Sequence, residues 1–195
     1  MKWIDFERQI KGKGIKLFTP LDVQRFLGRS KTAVTFLIHR MKKQGYIQSV
    51  KRGLYKLSDE SVPELYLANK LYEPSYISLE SALSYHRVIP ETVYEITSVT
   101  TKTTRRFETL GKIYSYRKIK KTAFAGYVIE KQKGLSFQIA DPEKAFVDAN
   151  YFRMLGRLKP LSRYNKEKIN PTKAMRYATL IGNKKLISII KTTLQ

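Results

Sequence analysis

Between Thr19 and Leu57 the chain is punctuated so tightly that few folds are open to it. Thr19 is followed by Pro20 and then by Asp22. A hydroxyl cap, a proline where the missing N–H costs nothing, and a carboxylate in the first turn together start a helix. That helix runs through Val23, Phe26 and Leu27 and stops at Gly28. Ser30 caps another helix from Lys31 to Gln44, with Gly45 as the residue beyond its end. Residues 46–50 and 54–57 read as short strands, joined by Lys51-Arg52-Gly53 as a tight basic turn. Upstream, residues 5–11 make a short helix with Phe6 and Ile10 on one side, broken by Gly12 and Gly14.

Helix, helix, turn, helix and hairpin is the order of a winged helix-turn-helix, expected over residues 1–60. On a helical wheel, Ala33, Val34, Leu37, Met41 and the stem of Gln44 share one sector of the third helix. Thr32, Thr35, Phe36, His39 and Lys43 lie opposite. No acidic residue occurs between Asp22 and Asp59. A merely solvated helix more often pairs Glu with Lys one turn apart. This helix instead offers hydroxyl, imidazole and ammonium groups, which suit base edges and phosphates. In a major groove the N-terminal turns approach the bases, so Ser30, Lys31, Thr32 and Thr35 are candidate base contacts, with Phe36 available to a thymine methyl. Arg29, His39, Arg40 and Lys43 suit phosphates, and Lys51 and Arg52 suit a flanking phosphate or a minor groove. The competing reading is a solvated helical subdomain that binds a protein.

Charge supports a polyanion partner. Lys and Arg number 38 against 16 Asp and Glu, a net charge of +22 in 195 residues, and such a field draws in nucleic acid. Residues 1–58 hold 14 basic and 3 acidic groups, residues 59–152 hold 13 and 12, and residues 153–195 hold 11 and 1. A near-neutral middle lies between two basic ends. A membrane partner would call for a basic amphipathic helix or a lipid anchor. The first residues fit neither a myristoylation nor a secretory signal, and no apolar run is long enough to span a bilayer. No membrane association and a cytoplasmic location are therefore expected. With no cysteine, and only His39 and His86 as imidazoles, thiolate and structural zinc sites are excluded; neither metal nor cofactor is expected.

Beyond residue 60, helices are expected from Pro63 to Leu71 and from Ser78 to His86, with Glu73-Pro74 between them. Strands are expected at 93–100, around Phe107, and at 113–119, 127–130 and 135–139, with hairpin turns at Gly111 and Lys133-Gly134. Asp141-Pro142-Glu143 is a capped helix start, and Ala145, Phe146, Ala149 and Phe152 form its apolar stripe. Two helices follow, over 171–181 and 183–194. In this tail Lys159, Arg163, Lys173, Arg176, Lys184 and Lys185 form a candidate second basic surface, set against the plainer reading of an amphipathic helix pair with a basic outer face. Asp141, Glu143 and Lys144 are the residue types of a metal-dependent nuclease. Their close spacing suits a helix cap instead, so a nucleic-acid-processing enzyme using Asp141 and Glu143 is kept only as an alternative and no catalytic residue is assigned. His86 reads as a packed or surface histidine, and Ser78, Ser81 and Ser84 lack the glycine-flanked elbow of a hydrolase.

In order, residues 45–57, 76–86 (Tyr-Ile-Ser-Leu-Glu-Ser-Ala-Leu-Ser-Tyr-His), 96–106 (Ile-Thr-Ser-Val-Thr-Thr-Lys-Thr-Thr-Arg-Arg) and 139–148 (Ile-Ala-Asp-Pro-Glu-Lys-Ala-Phe-Val-Asp) form a series. It resembles the AbiEi-type antitoxins of bacterial type IV toxin–antitoxin and abortive-infection systems over residues 5–150. The resemblance implies a transcriptional repressor that binds inverted repeats of double-stranded DNA in its own promoter. It also implies a second domain that counteracts a nucleotidyltransferase-like toxin, acting on the toxin or on its RNA target; a stand-alone regulator without a toxin is the alternative. The expected architecture is α+β: the winged helix at 1–60, then at 61–195 an antiparallel sheet with helices, closed by the C-terminal helices.

Overall fold

A computed structural model describes residues 2–195 and divides into two compact units, with the boundary between Val62 and Pro63. It mixes eight α-helices and two sheets among the described residues, so the α+β class is what the chain adopts.

The first unit is three helices and a hairpin: α1 (Trp3–Gly12), α2 (Pro20–Leu27), α3 (Lys31–Lys43), β1 (Ile47–Lys51) and β2 (Leu54–Leu57). Each boundary has a local chemical cause. The Thr19 hydroxyl accepts from the Asp22 N–H while the Asp22 carboxylate accepts from the Thr19 N–H at 2.7 Å, a reciprocal cap. Gly28 ends α2 at φ 62°, a left-handed conformation that glycine adopts without a Cβ penalty. Ser30 Oγ accepts from Ala33 N–H at the head of α3. The strands pair antiparallel from Ile47 opposite Leu57 to Lys51 opposite Leu54, with a bulge between Ser49 and Lys51. Phe18 and Tyr55 exchange backbone hydrogen bonds at 2.9 Å, extending the hairpin by one bridge. Phe6, Ile10, Phe18, Val23, Leu27, Val34, Leu37, Ile38, Met41, Ile47 and Leu57 share one apolar core, in which the Phe6 and Phe18 rings meet edge to face at 5.2 Å.

The second unit comprises α4 (Glu64–Leu71), β3 (Ser75–Ile77), α5 (Leu79–Tyr85), β4 (Glu95–Thr100), β5 (Arg105–Thr109), β6 (Lys112–Lys118), β7 (Tyr127–Gln132), β8 (Leu135–Ala140), α6 (Pro142–Leu155), α7 (Pro171–Ile181) and α8 (Lys184–Leu194). Its six strands lie in the order β5-β6-β4-β3-β8-β7. The expected hairpins β5–β6 and β7–β8 are present, but the sheet is mixed where an antiparallel one was expected: β4 runs parallel to β6, and β3 parallel to β8. Turn residues report only which neighbours in sequence pair, whereas burial decides where each hairpin is inserted. The charged strands β5 and β7 take the edges, where side chains and backbone stay solvated. The unanticipated β3 sits inside, with all three residues buried; three residues are too few to show an alternating pattern.

Helices cover both faces of the sheet. Tyr116 donates its hydroxyl to the Ala68 carbonyl of α4, and Tyr76 donates to Asp148 of α6 at 3.0 Å. Helix α6 departs from the expected apolar stripe. Every residue from Glu143 to Asn150 is buried, while Phe152 is only half-buried. Its charges are consequently paired inside: Lys144 ion-pairs with Asp148, which also accepts from Ser78 Oγ at 2.8 Å. Burial, reinforced by the Asp148 charge, pushes the Tyr76 phenol well above its usual value, so this donor keeps its proton. Among the described residues no helix is long and apolar enough to cross a membrane.

Removing one member of a buried ion pair strands the other. Asp148→Ala is therefore expected to cost about 3–5 kcal/mol. Lys144→Met should cost less, because Tyr76 and Ser78 still donate to the carboxylate. Pairing Lys144→Met with Asp148→Leu should recover much of the loss. Urea-unfolding midpoints of the three variants test the order, and a harmless Asp148→Ala would contradict it.

Candidate nucleic-acid interface

Helix α3 is held to the first unit by Val34, Leu37, Ile38 and Met41, all buried. The apolar sector is rotated slightly from the one expected: Ile38 belongs to it, Ala33 is half-buried, and Gln44 is exposed. Gln44 is the C-cap, where the chain turns away through Gly45 at φ 78°, so its stem has nothing to cover.

The opposite side faces solvent. Ser30, Lys31, Thr32, Thr35, Phe36, His39, Arg40 and Lys43 are exposed, as are Arg29 just before the helix and Arg52 at the hairpin tip; Lys51 is half-exposed. Lys42, in the same last turn, is exposed as well and was not singled out from the sequence. Two of the expected hydroxyl contacts are partly committed. Ser30 Oγ accepts the capping hydrogen bond, and Thr35 Oγ1 donates to the Lys31 carbonyl at 2.9 Å.

The carboxylates of this unit are engaged elsewhere. Asp5 accepts from the Lys2 N–H at 2.8 Å, and Asp22 is closed onto Thr19. Lys11 bridges Glu7 at 2.8 Å and Asp59 at 2.6 Å, while Lys16 pairs with Glu60. Hydrogen bonds donated to Asp59 and Glu7 raise the Lys11 ammonium, and Lys11 in turn holds Asp59 below the usual carboxylate range. Lys56, a buried lysine not apparent from the sequence, donates to the carbonyls of Leu57 and Glu60 at 2.8 Å each, and burial lowers its pKa. Negative charge is thus drawn to α1, the α2 cap and the exit segment 58–60, leaving the α3 face cationic.

The second basic surface needs one correction. Lys159, Arg163, Arg176, Lys184 and Lys185 are exposed, with Arg163 lying 3.8 Å from Glu91. Lys173, in contrast, is part of a clasp. Its Nζ lies 3.2 Å from Asp141 Oδ2 and 2.9 Å from Glu143 Oε2, the latter held by charge and not by an aligned hydrogen bond. Basic residues along a helix look alike in sequence; only packing tells which of them meets a buried acid.

Asp141 and Glu143, the alternative catalytic pair, are spent on the same contacts. Asp141 caps α6 by accepting from Lys144 N–H at 2.8 Å and also receives the Tyr177 hydroxyl at 2.6 Å. The Tyr177 ring lies against Gly126 so closely that a Cβ there would come within 2.7 Å of it. Glu143 accepts from Asn170 N–H at 3.1 Å. Burial works to raise the Glu143 carboxyl, but Lys173 and the Asn170 N–H outweigh it and hold it below its ordinary value; the two carboxylates likewise raise Lys173 against its burial. His86 is hydrogen-bonded through Nε2 to the Ala140 carbonyl at 2.8 Å, with the carbonyl accepting. Among the described residues no group of three or more His, Cys, Asp or Glu is placed to hold a metal ion.

No protein-family model matches the chain, and a search of curated proteins finds no significant match.

The clasp should make stability pH-dependent. A depressed Glu143 stabilises the fold above its unfolded value of 4.5 and loses that contribution as pH falls through the lower folded value. A raised Lys173 stabilises fully below 10.5 and loses its contribution as pH rises through the higher folded value. Lys173→Met should therefore destabilise the protein by about 1 kcal/mol at pH 7, a modest cost because the lysine is partly solvent-screened. The difference from wild type should shrink below pH 4, and denaturant midpoints at the two pH values test it.

Proposed function

We propose that the first unit is a winged helix-turn-helix that binds duplex DNA. Helix α3 would enter the major groove, and the β1–β2 turn, with Lys51 and Arg52, would meet the flanking backbone. The observation that carries this reading is the α3 face. Its hydroxyls, imidazole and ammonium groups are exposed, and the carboxylates of the same unit are bound away from it. A solvated face with no binding role has no need of that segregation.

On this reading the chain is a sequence-specific transcriptional repressor that acts in the cytoplasm without metal or cofactor and is not an enzyme. The motif series over residues 5–150 resembles AbiEi-type antitoxins, so the proposal extends to a protein that autoregulates its operon at inverted repeats. The second unit would counteract a nucleotidyltransferase-like toxin, either directly or at the toxin's RNA target. Five exposed cations on the C-terminal helices and the loop before them, Lys159, Arg163, Arg176, Lys184 and Lys185, would favour such a polyanion. The engagement of Asp141 and Glu143 in the α6–α7 clasp argues against a nuclease using them.

The test is binding of the full-length protein to the duplex upstream of its own coding sequence, titrated with salt. With six to eight phosphates neutralised, the log–log slope should be roughly −5 to −7. A slope near zero would point to a protein partner instead. Lys51→Ala with Arg52→Ala should weaken binding to specific and random duplexes alike and flatten the slope by about 2. Lys31→Ala with Thr35→Ala should chiefly reduce the preference for the specific duplex, and equal losses in both pairs of variants would refute this division of labour.

A further inference from the structure

The α3 face exposes one large apolar side chain among its polar groups. Phe36 is 71% exposed and lies on the same stripe as Thr32, one turn before it, and His39 beyond it. Thr35, also exposed, gives its only hydroxyl proton to the Lys31 carbonyl. Its oxygen can still accept, but what it adds to the face besides is a methyl group.

The donor side of the face is correspondingly thin. Residues 31–39 contain no Asn, Gln or Arg, the side chains best shaped to bond bidentately to adenine or guanine edges. Lys31 is the one ammonium in the first two turns; Ser30 Oγ accepts the capping N–H, so the hydroxyl protons of Ser30 and Thr32 are the small donors that remain beside it. In the major groove thymine differs from every other base by its C5-methyl, which is recognised by apolar contact. An exposed phenyl beside a threonine methyl is complementary to that group, and burying it there removes apolar area from water on both partners.

We infer that the α3 face selects thymine-bearing major grooves through contact of Phe36 and the Thr35 methyl with thymine C5-methyl groups, with hydrogen bonding to base edges secondary. The inference rests on the duplex-binding reading above and specifies its ligand. It assigns Phe36 a role that a phosphate-contacting surface has no use for.

The experiment removes the methyl groups and nothing else. The duplex upstream of the coding sequence is amplified once with dTTP and once with dUTP, and the full-length protein is titrated against both at fixed salt. Wild type should bind the uracil duplex more weakly, by about fourfold for each methyl contacted. Phe36→Ala, at an exposed position where folding does not depend on the ring, should bring the ratio of the two affinities close to one. Lys51→Ala with Arg52→Ala should lower both affinities and leave the ratio as in wild type. Equal wild-type affinity for the two duplexes, or a ratio that survives Phe36→Ala, overturns methyl readout while leaving duplex binding standing. Absence of binding to either duplex overturns both.

Discussion

The rotation of α3 about its own axis is the constraint on which the first unit depends. Val34, Leu37, Ile38 and Met41 are buried in one core with Phe6, Phe18 and Leu57, and each buried side chain is worth roughly 1.5–3 kcal/mol relative to exposure. A helix turns by about 100° per residue, so a shift of one position would carry Thr35 and His39 toward the core and expose Val34, Leu37 and Met41. The apolar contacts therefore determine which polar groups solvent sees. The face offered to a ligand is a by-product of the packing behind it, and its rigidity comes from there.

Charge is handled in opposite ways by the two units. In the first, carboxylates are consumed by local caps and by Lys11 and Lys16, and the cations of α3 stay at the surface. In the second, charge is taken inside and neutralised: Lys144 with Asp148, then Asp141 and Glu143 with Lys173, Tyr177 and Asn170. Buried ions are tolerated only with partners, which is why Glu143–Asn150 of α6 can all be buried with Glu143, Lys144 and Asp148 among them and Asp141 at the cap. The same arithmetic bears on function. A carboxylate already committed to a helix cap, a tyrosine and a lysine is poorly placed to serve as a metal ligand or base, and the proposed role as a DNA-binding regulator asks nothing of it.

Much of this was legible along the chain. The caps at Thr19, Ser30 and Asp141, the stops at Gly28 and Gly45, and the turns at Gly53, Gly111 and Gly134 are local chemistry, and each appears where the residues put it. The exposed row Thr32, Thr35, Phe36, His39 and Lys43 also follows from periodicity alone. The commitment of the Thr35 hydroxyl to Lys31 was not visible, because a threonine in a helix can point its oxygen outward or back to the preceding turn with equal sequence.

What the sequence by itself determined, then, is most of the elements, β3 excepted, and the sidedness of α3, because capping, turn conformation and the 3.6-residue period act over a few residues. What only the tertiary structure decided is the insertion of β3 and β4 into the middle of a mixed sheet, the burial of every α6 residue from Glu143 to Asn150, and the withdrawal of Lys173 from the basic surface. These depend on which distant segments share a low-dielectric interior. Lys173 and Asp141, 32 positions apart in sequence, interact because α7 packs against the head of α6, where the Tyr177 hydroxyl also reaches Asp141 and its ring lies against Gly126.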